Sequence, residues 1–365
     1  MKEGKKYYPQ LDSIRGISFL IVFFYHSYKP VWNDSLIDKF LQFTFNAMPL
    51  SIDVFFILSA FLLTFLGINE YKKTGKFSFK NYFIRRALRI WPLYFLIMFF
   101  SFVILKIFKN YTGYQISLPP AGWYLFFVSN FYLPDHVFFL RLLWTLSVEE
   151  QFYLLWGFCL LFFQKYLKIV ILILATISLG FIIIQTINKI GIYFHTLTYI
   201  IDMMVGAFAA YSIKKNNRIA ATIKTFSSQE EIIFYLSFPL LFFGFFLVSS
   251  IVSEVVYNLF GELIRVCFII YCSVIIIIQM VTEKRKFDLC NYSFLIYTGK
   301  ISYGLYCFHG LIISFGSILL KKMNINLPSI LTTIIFFIIT FLVASLSYRL
   351  IEKPFLKLKY RLRTS

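Results

Sequence analysis

Long apolar stretches separated by short polar segments run along nearly the whole chain. One of them, 169–184, holds no charged residue, and a helix of about 20 such residues crosses a hydrocarbon core of about 30 Å. A membrane β-barrel would show short segments of alternating hydrophobicity instead. We therefore predict an all-α, polytopic membrane protein with about ten transmembrane helices, over residues 14–30, 46–68, 90–108, 143–163, 168–187, 195–213, 231–251, 259–281, 296–320 and 327–350.

The composition agrees with this pattern and excludes several classes of protein. Of the 365 residues, 59% are hydrophobic, more than the roughly 45–50% of soluble domains. The net charge is +19, but the basic residues form short clusters between apolar stretches, so we expect contact with membrane lipid and no nucleic-acid partner. The five cysteines form no CxxC pair, and no other metal-ligand spacing occurs, so we expect no metal.

The basic clusters also predict the orientation. With ten spans and a cytoplasmic N-terminus, three quarters of the 36 Lys and Arg residues fall in segments on the cytoplasmic side, as the positive-inside rule requires. We therefore expect both termini in the cytoplasm and a multi-pass protein of the inner (plasma) membrane. The longest outer segment, 109–142, is too polar to span; it is either a lid over a site or an inert loop.

The first predicted span carries ionisable residues at membrane depth, where they usually mark a functional site. Arg15 and His26 are eleven residues apart, which places them on one helix face about 16 Å apart. Asp12 precedes Arg15 by three residues and can pair with it. Structural alternatives remain for each: an N-cap and an interfacial cation for Asp12 and Arg15, and a bond to a neighbouring helix for His26.

Two further clusters carry candidate chemistry. Arg86 and Arg89 are one helical turn apart, and their guanidinium groups suit a phosphate or pyrophosphate; anchoring to anionic lipid is the equally weighted alternative. In the fourth span, Glu149 shares a face with Tyr153, while Glu150 points about 100° away. We expect one of the two carboxylates to face the protein interior.

The remaining polar positions lie in the second and ninth spans. Ser302, Tyr306 and His309 follow a single helical stripe, and His309 lies near the middle of the membrane. For His309 we slightly favour a hydrogen bond between helices over a direct role. Asp53 is another ionisable group, near the outer end of the second span.

Taken together, these segments resemble the membrane-bound acyltransferase family 3, the O-acyltransferases that modify bacterial surface polysaccharides and some antibiotics. The chain departs from the usual family pattern at Ser13 and Ala60, where Gly is common, and neither change affects an ionisable group. The matching motifs follow one another in the family's order, at Leu11–Gly16 with His26, Asp53–Ser59, Arg86–Tyr94, Trp144–Tyr153, Ile301–His309 and Glu352–Pro354.

The resemblance implies an acyl-CoA, most often acetyl-CoA, as cytoplasmic co-substrate and a carbohydrate hydroxyl as acceptor on the outer side. It implies that Arg15 and His26 are catalytic and that Arg86, Arg89 and Arg15 bind the donor. Glu149 aligns with the acid of the fourth span, with Glu150 as the open alternative. Supporting or substrate-binding roles fall to Asp12, Asp53, Tyr153, Tyr306 and His309.

For the mechanism, we expect His26 to be a general base that Glu149 orients; a route through an acyl-histidine stays open, as does acetyl versus succinyl transfer. The resemblance is to the stand-alone form, so we expect residues 1–365 to be a single transmembrane acyltransferase domain with no appended soluble domain. Oligomeric state cannot be read from the sequence. A transporter or flippase of a glycan precursor or another polar solute is the alternative function, and a structural scaffold the third.

Overall fold

The computed structural model describes residues 7–33, 35–112, 119–132, 137–249, 254–282 and 285–361. Within these ranges the chain is helical and contains no β-strand, which confirms the all-α prediction. The helices are α1 (Pro9–Ser27), α2 (Leu36–Ala47), α3 (Ser51–Thr74), α4 (Phe79–Thr112), α5 (Gly122–Leu125), α6 (Phe138–Arg141), α7 (Trp144–Phe162), α8 (Leu167–Ile187), α9 (Thr196–Lys215), α10 (Arg218–Lys224), α11 (Ser228–Ser249), α12 (Glu254–Val281), α13 (Ser293–Lys300), α14 (Ser302–Lys322), α15 (Ser329–Ser347) and α16 (Lys353–Arg361).

In the described ranges, eight helical segments are long and apolar enough to cross a membrane, so the chain is a polytopic membrane protein. They are built on α3, α4, α8, α9, α11, α12, α14 and α15. The other two predicted spans correspond to α1 and α7, which have 19 residues each and are therefore about 28 Å long. These two helices carry the polar residues Arg15, His26 and Glu149, which make them less apolar than the rest.

Several predicted boundaries differ from the structure. The ninth span, expected as one helix over 296–320, is divided at Ile301 into α13 and α14. Helix α4 starts eleven residues earlier than predicted, so Arg86 and Arg89 lie inside it. Helix α2 was not predicted, because Asp38, Lys39, Gln42 and Asn46 interrupt its apolar residues. None of its residues is buried.

Close backbone contacts fix the position of α1 and α3. Helix α1 packs against α13, and a Cβ atom at Gly299 would overlap the backbone carbonyl of Asp12. Helix α3 packs against α9 in the same way, where a Cβ atom at Gly206 would overlap the carbonyl of Ile57. Small residues permit such close helix packing in membranes.

The described part of segment 109–142 packs into the bundle. The Tyr124 side chain is fully buried, and its backbone carbonyl accepts a hydrogen bond of 2.8 Å from the Tyr94 hydroxyl. The Gln151 amide donates to the Phe127 carbonyl at 2.8 Å. Residues 113–118 and 133–136 of this segment lie outside the described residues.

Candidate active site

A narrow cavity of about 70 Å³ lies between α1, α3, α4, α7 and α14, on the side of the bundle that carries most basic residues. We call it the inner cavity. It is well below the roughly 300–1,000 Å³ of pockets that enclose whole ligands, so it fits a chain better than a bulky group. Its polar lining combines the predicted positions Arg15, Arg86, Arg89, Glu149, Tyr153, Ser302 and Tyr306 with three that were not predicted, Ser59, Thr145 and Tyr303.

Arg15 enters this cavity from the first helix. Its guanidinium group forms the predicted ion pair with Asp12, with 3.0 Å between Nη1 and Oδ1. Asp12 also accepts a hydrogen bond of 2.7 Å from the Tyr7 hydroxyl. Asp12 does not line the cavity, so its contact with the site is through Arg15.

Arg86 and Arg89 enter from α4. Within the described part of the chain, neither guanidinium group forms an ion pair or hydrogen bond, although Arg86 is only 7% exposed. Its guanidinium lies over the Tyr153 ring, 5.8 Å from the centroid. The neighbouring Arg85, by contrast, pairs with Glu70 at 2.9 Å. A buried cation without a carboxylate partner is costly, so Arg86 is well placed to bind an anion.

The two adjacent glutamates have different environments. Glu149 lines the inner cavity, where its Oε1 accepts a hydrogen bond of 2.9 Å from Ser59 and its Oε2 one of 2.8 Å from Tyr153. Glu150 does not line the cavity, and its Oε2 accepts a hydrogen bond of 3.3 Å from the Trp91 indole. Glu149 is therefore the carboxylate that lines the inner cavity, and its alignment with the acid of the fourth span stays a prediction.

A second, much larger cavity of about 970 Å³ lies on the opposite side of the bundle. We call it the outer cavity. It holds charged groups of both signs, at Asp53, Arg141, Lys189, Glu262 and Arg265. Its walls are rich in aromatic rings, those of Tyr25, Phe138, Trp144, Tyr193, Phe194, Tyr199 and Tyr257, and they include His26.

A thin layer of side chains separates the two cavities. Ile52 lines both of them, Thr145 and Tyr306 line the inner one, and Leu142 lines the outer one. The Tyr306 hydroxyl donates to the Leu142 carbonyl at 3.0 Å and accepts from the Thr145 hydroxyl at 2.9 Å. We call these four residues the septum. Arg15 and His26 therefore both face the interior of the bundle, as predicted, but they lie on opposite sides of the septum.

His26 is held by another histidine. Its Nδ1 lies 3.1 Å from Nε2 of His309, and the two rings are nearly parallel, at 15°. His309 is fully buried, and its Nδ1 lies 2.6 Å from the Tyr306 carbonyl. The expected contact between Glu149 and His26 was wrong: both carboxylate oxygens of Glu149 bond to Ser59 and Tyr153 instead. The prediction that His309 forms a hydrogen bond between helices is confirmed, since the bond joins α14 to α1.

Asp53 belongs to a cluster that the sequence reading missed. Arg265 Nε donates to Asp53 at 2.9 Å, and Arg265 Nη2 donates to Asp202 at 2.7 Å. Asp53 and Arg265 line the outer cavity, while Asp202 is fully buried behind them. The sequence does contain a signal for this cluster, since Arg265, Asp53 and Asp202 each lie in a different apolar stretch. Such groups are stable in a membrane only when they pair, so a pairing between them could have been predicted.

Residues 8–349 match a family described as an acyltransferase domain, the acyltransferase-3 family. The chain belongs to this family. The match confirms the resemblance and places the chain in an acyltransferase family. No solved structure shows a significant match to this chain.

Curated relatives of this chain are named O-acetyltransferases. A peptidoglycan O-acetyltransferase, OatA, of Listeria monocytogenes is 27% identical over 97% of this chain and 56% of its own length. The O-acetyltransferase OatA of Staphylococcus aureus is 28% identical over 96% of this chain and 58% of its own. The chain thus spans little more than half of the length of these relatives. The expectation of a single domain without a soluble extension stays a prediction.

Proposed function

We propose that the protein moves an acetyl group from cytoplasmic acetyl-CoA to a hydroxyl of a polysaccharide in the cell envelope, across the inner (plasma) membrane. Two features support this proposal: a cationic cavity on the basic side of the bundle, and a large aromatic cavity with a histidine in its wall on the other side. Two relatives named O-acetyltransferases support the acetyl group, and the name of the Listeria relative supports an acceptor of the peptidoglycan type.

The donor fits the inner cavity as an extended chain. The nucleotide phosphates stay at the cytoplasmic entrance, where Arg86 and Arg89 offer charge-assisted hydrogen bonds, since neither is ion-paired with a carboxylate in the described structure. The narrow pantetheine arm of acetyl-CoA enters past Arg15 and brings the thioester towards the septum. Glu149 lies beside the three arginines. The position of Glu149 suits two roles, adjusting the electrostatic field of the arginines and hydrogen bonding to the arm of the coenzyme. It does not suit orientation of His26.

The acceptor fits the outer cavity. Aromatic side chains supply flat apolar surfaces for sugar rings, and a few charged and amide groups supply orientation. The cavity volume of about 970 Å³ is at the upper end of the range for enclosed ligands. An acceptor hydroxyl beside Phe138 comes within reach of His26, whose ring lies 5.3 Å from the Phe138 ring.

The transfer itself takes place at the septum, where the side chain of Ile52 has to move aside for the thioester to meet the acceptor hydroxyl and His26. His26 takes the proton of the acceptor hydroxyl as general base, and the hydroxyl oxygen bonds to the carbonyl carbon of the thioester. The carbon–sulfur bond then breaks, and the proton passes from His26 to the thiolate, which leaves as free coenzyme A. The observation that carries the proposal is Ile52, because it lines both cavities and thereby sets the shortest route between donor and acceptor.

The direct test uses membranes that contain the full-length protein, acetyl-CoA labelled in the acetyl group, and an envelope glycan fraction. We expect label in the glycan as a base-labile ester, and release of free coenzyme A in equal amount. Membranes with His26→Ala, matched for protein level, are the control. Movement of an unmodified glycan precursor without ester formation would show a transporter and overturn the proposal, as would equal label with the His26→Ala membranes.

A further inference from the structure

The hydrogen bonds around His26 have a direction that the positions of the heavy atoms determine. His309 Nδ1 lies 2.6 Å from the Tyr306 carbonyl oxygen, and His309 Nε2 lies 3.1 Å from His26 Nδ1. A carbonyl oxygen only accepts hydrogen bonds. His309 Nδ1 must therefore carry a hydrogen and donate it to Tyr306.

The protonation of His309 follows from its surroundings. In the described structure, the ring is fully buried and contacts Phe19, Phe23 and Tyr306, and its hydrogen-bond partners are a carbonyl and an imidazole. No carboxylate contacts it, so a charged imidazolium there would be buried without a counterion, which is costly. His309 is therefore neutral, with the hydrogen on Nδ1 and a lone pair on Nε2.

A bare Nε2 on His309 requires a donor opposite it. That donor is Nδ1–H of His26, which leaves the lone pair of His26 on its Nε2. A neutral imidazole has one donor and one acceptor nitrogen, so this chain of bonds leaves a single arrangement of hydrogens. Because Nδ1 bonds to His309, Nε2 is the nitrogen of His26 that is free to meet a substrate in the outer cavity.

We propose that His309 is a positioning residue, which holds His26 in the tautomer whose Nε2 accepts the proton of the acceptor hydroxyl. The inference rests on the proposed function and adds the residue that orients its base. When His26 takes the proton, its Nδ1–H bond to His309 becomes charge-assisted and therefore stronger. His309 thus takes the part that a carboxylate has in a serine-type triad, but without placing a second charge in the membrane.

The first test is spectroscopic and needs no enzymatic activity. The full-length protein, labelled with 15N-histidine and reconstituted in lipid, is compared with His26→Ala to assign the signals of the pair. We expect a protonated Nδ1 and a bare Nε2 on His26 in the wild-type protein, and a mixture of tautomers in His309→Phe. A bare Nδ1 on His26 in the wild-type protein would overturn the proposal.

The second test is kinetic. His309→Phe fills the space of the ring but offers no acceptor, so we expect kcat to fall about 100-fold, within the usual contribution of general base catalysis, with the KM for acetyl-CoA unchanged within about twofold. His309→Gln places an amide oxygen near the position of Nε2. We therefore expect its kcat to be at least tenfold higher than that of His309→Phe. Ser314→Ala, on the same helix and outside both cavities, is the matched control.

The outcomes separate this inference from the proposed function. A kcat of His309→Phe near that of Ser314→Ala would overturn the positioning role, and so would equal loss in the Phe and Gln variants. If wild-type membranes transfer no label at all, the proposed function fails. The tautomer measured on the wild-type protein still decides the positioning role in that case, and also if His309→Phe fails to fold.

Discussion

The inner and outer cavities share one wall but have opposite character. The inner cavity is about 70 Å³ and is dominated by Arg15, Arg86 and Arg89. The outer cavity is about 970 Å³, aromatic, and lined by charges of both signs. A narrow cationic slot suits an extended anionic molecule, whereas a wide aromatic chamber suits a bulky neutral or weakly charged one.

This difference shows how one helix can serve two substrates. Helix α1 presents Arg15 to the inner cavity and His26 to the outer cavity, and its backbone is fixed against α13 by the close contact at Gly299. The proposed division is therefore testable by variants that impair one cavity and leave the other intact.

The largest expected effect is the loss of the base in the outer cavity. His26→Ala should lower kcat about 10³-fold, because it removes the general base that the proposal places beside the acceptor hydroxyl. The KM for acetyl-CoA should stay within about twofold. His195→Asn is the control, since His195 lies outside both cavities. Transfer by His26→Ala at more than a tenth of the wild-type rate would remove His26 from the chemistry.

The next effect concerns the stability of the protein and tests the ion-pair cluster of Asp53, Asp202 and Arg265 at the outer cavity. Arg265→Met leaves Asp53 and Asp202 buried without their shared cation, which should lower the free energy of unfolding by about 3–5 kcal/mol. Thermal unfolding in detergent measures the shift. The exposed Arg218→Met is the control. Equal melting temperatures for the two variants would show that the cluster does not hold the cavity together.

A smaller effect is expected in the inner cavity. Arg86→Gln removes a charge-assisted contact worth about 1.5–3 kcal/mol, so the KM for acetyl-CoA should rise about 10–100-fold with the KM for the acceptor unchanged. Arg85→Gln is a close control, because Arg85 is adjacent in sequence and paired with Glu70. A rise of the same size in both variants would indicate general attraction to the basic surface instead of a donor site.

The smallest effect completes the comparison. Tyr193→Ala removes an aromatic surface from the outer cavity, at a residue that is 45% exposed and therefore tolerant of change. The KM for the acceptor should rise about three- to tenfold, in line with roughly 1 kcal/mol for one aromatic contact. The KM for acetyl-CoA should not change. A selective rise in the KM for acetyl-CoA would indicate that the donor binds in the outer cavity, and would contradict the proposed division.

The sequence predicts the inner cavity well because its residues obey local rules. Helical spacing alone brings Arg15 to Asp12, Arg86 to Arg89, and Glu149 to Tyr153, and all three pairings follow from positions three or four residues apart. The preference of ionisable groups for the bundle interior then directs them to a common space. The family resemblance adds the order of the motifs.

The outer cavity and the partner of His26 were harder to predict. His309 is 283 residues from His26, and helical periodicity gives the face of a residue but not the helix that it meets. The division of the ninth span at Ile301 coincides with the polar, glycine-containing sequence Thr298–Gly304, which the prediction of one continuous span did not take into account. Glu149 was assigned to His26 by analogy with a triad, whereas Ser59 and Tyr153 lie nearer and satisfy both oxygens.

The septum has a consequence for the cell as a whole. A continuous water-filled passage through the bundle would let protons and ions leak and would discharge the membrane potential. Ile52, with the hydrogen-bonded side chains of Thr145 and Tyr306 beside it, stands in the way of such a passage. Under the proposed function, only the two-carbon acetyl group then has to change sides, while the coenzyme stays in the cytoplasm, the glycan stays outside, and the energised membrane keeps its insulation.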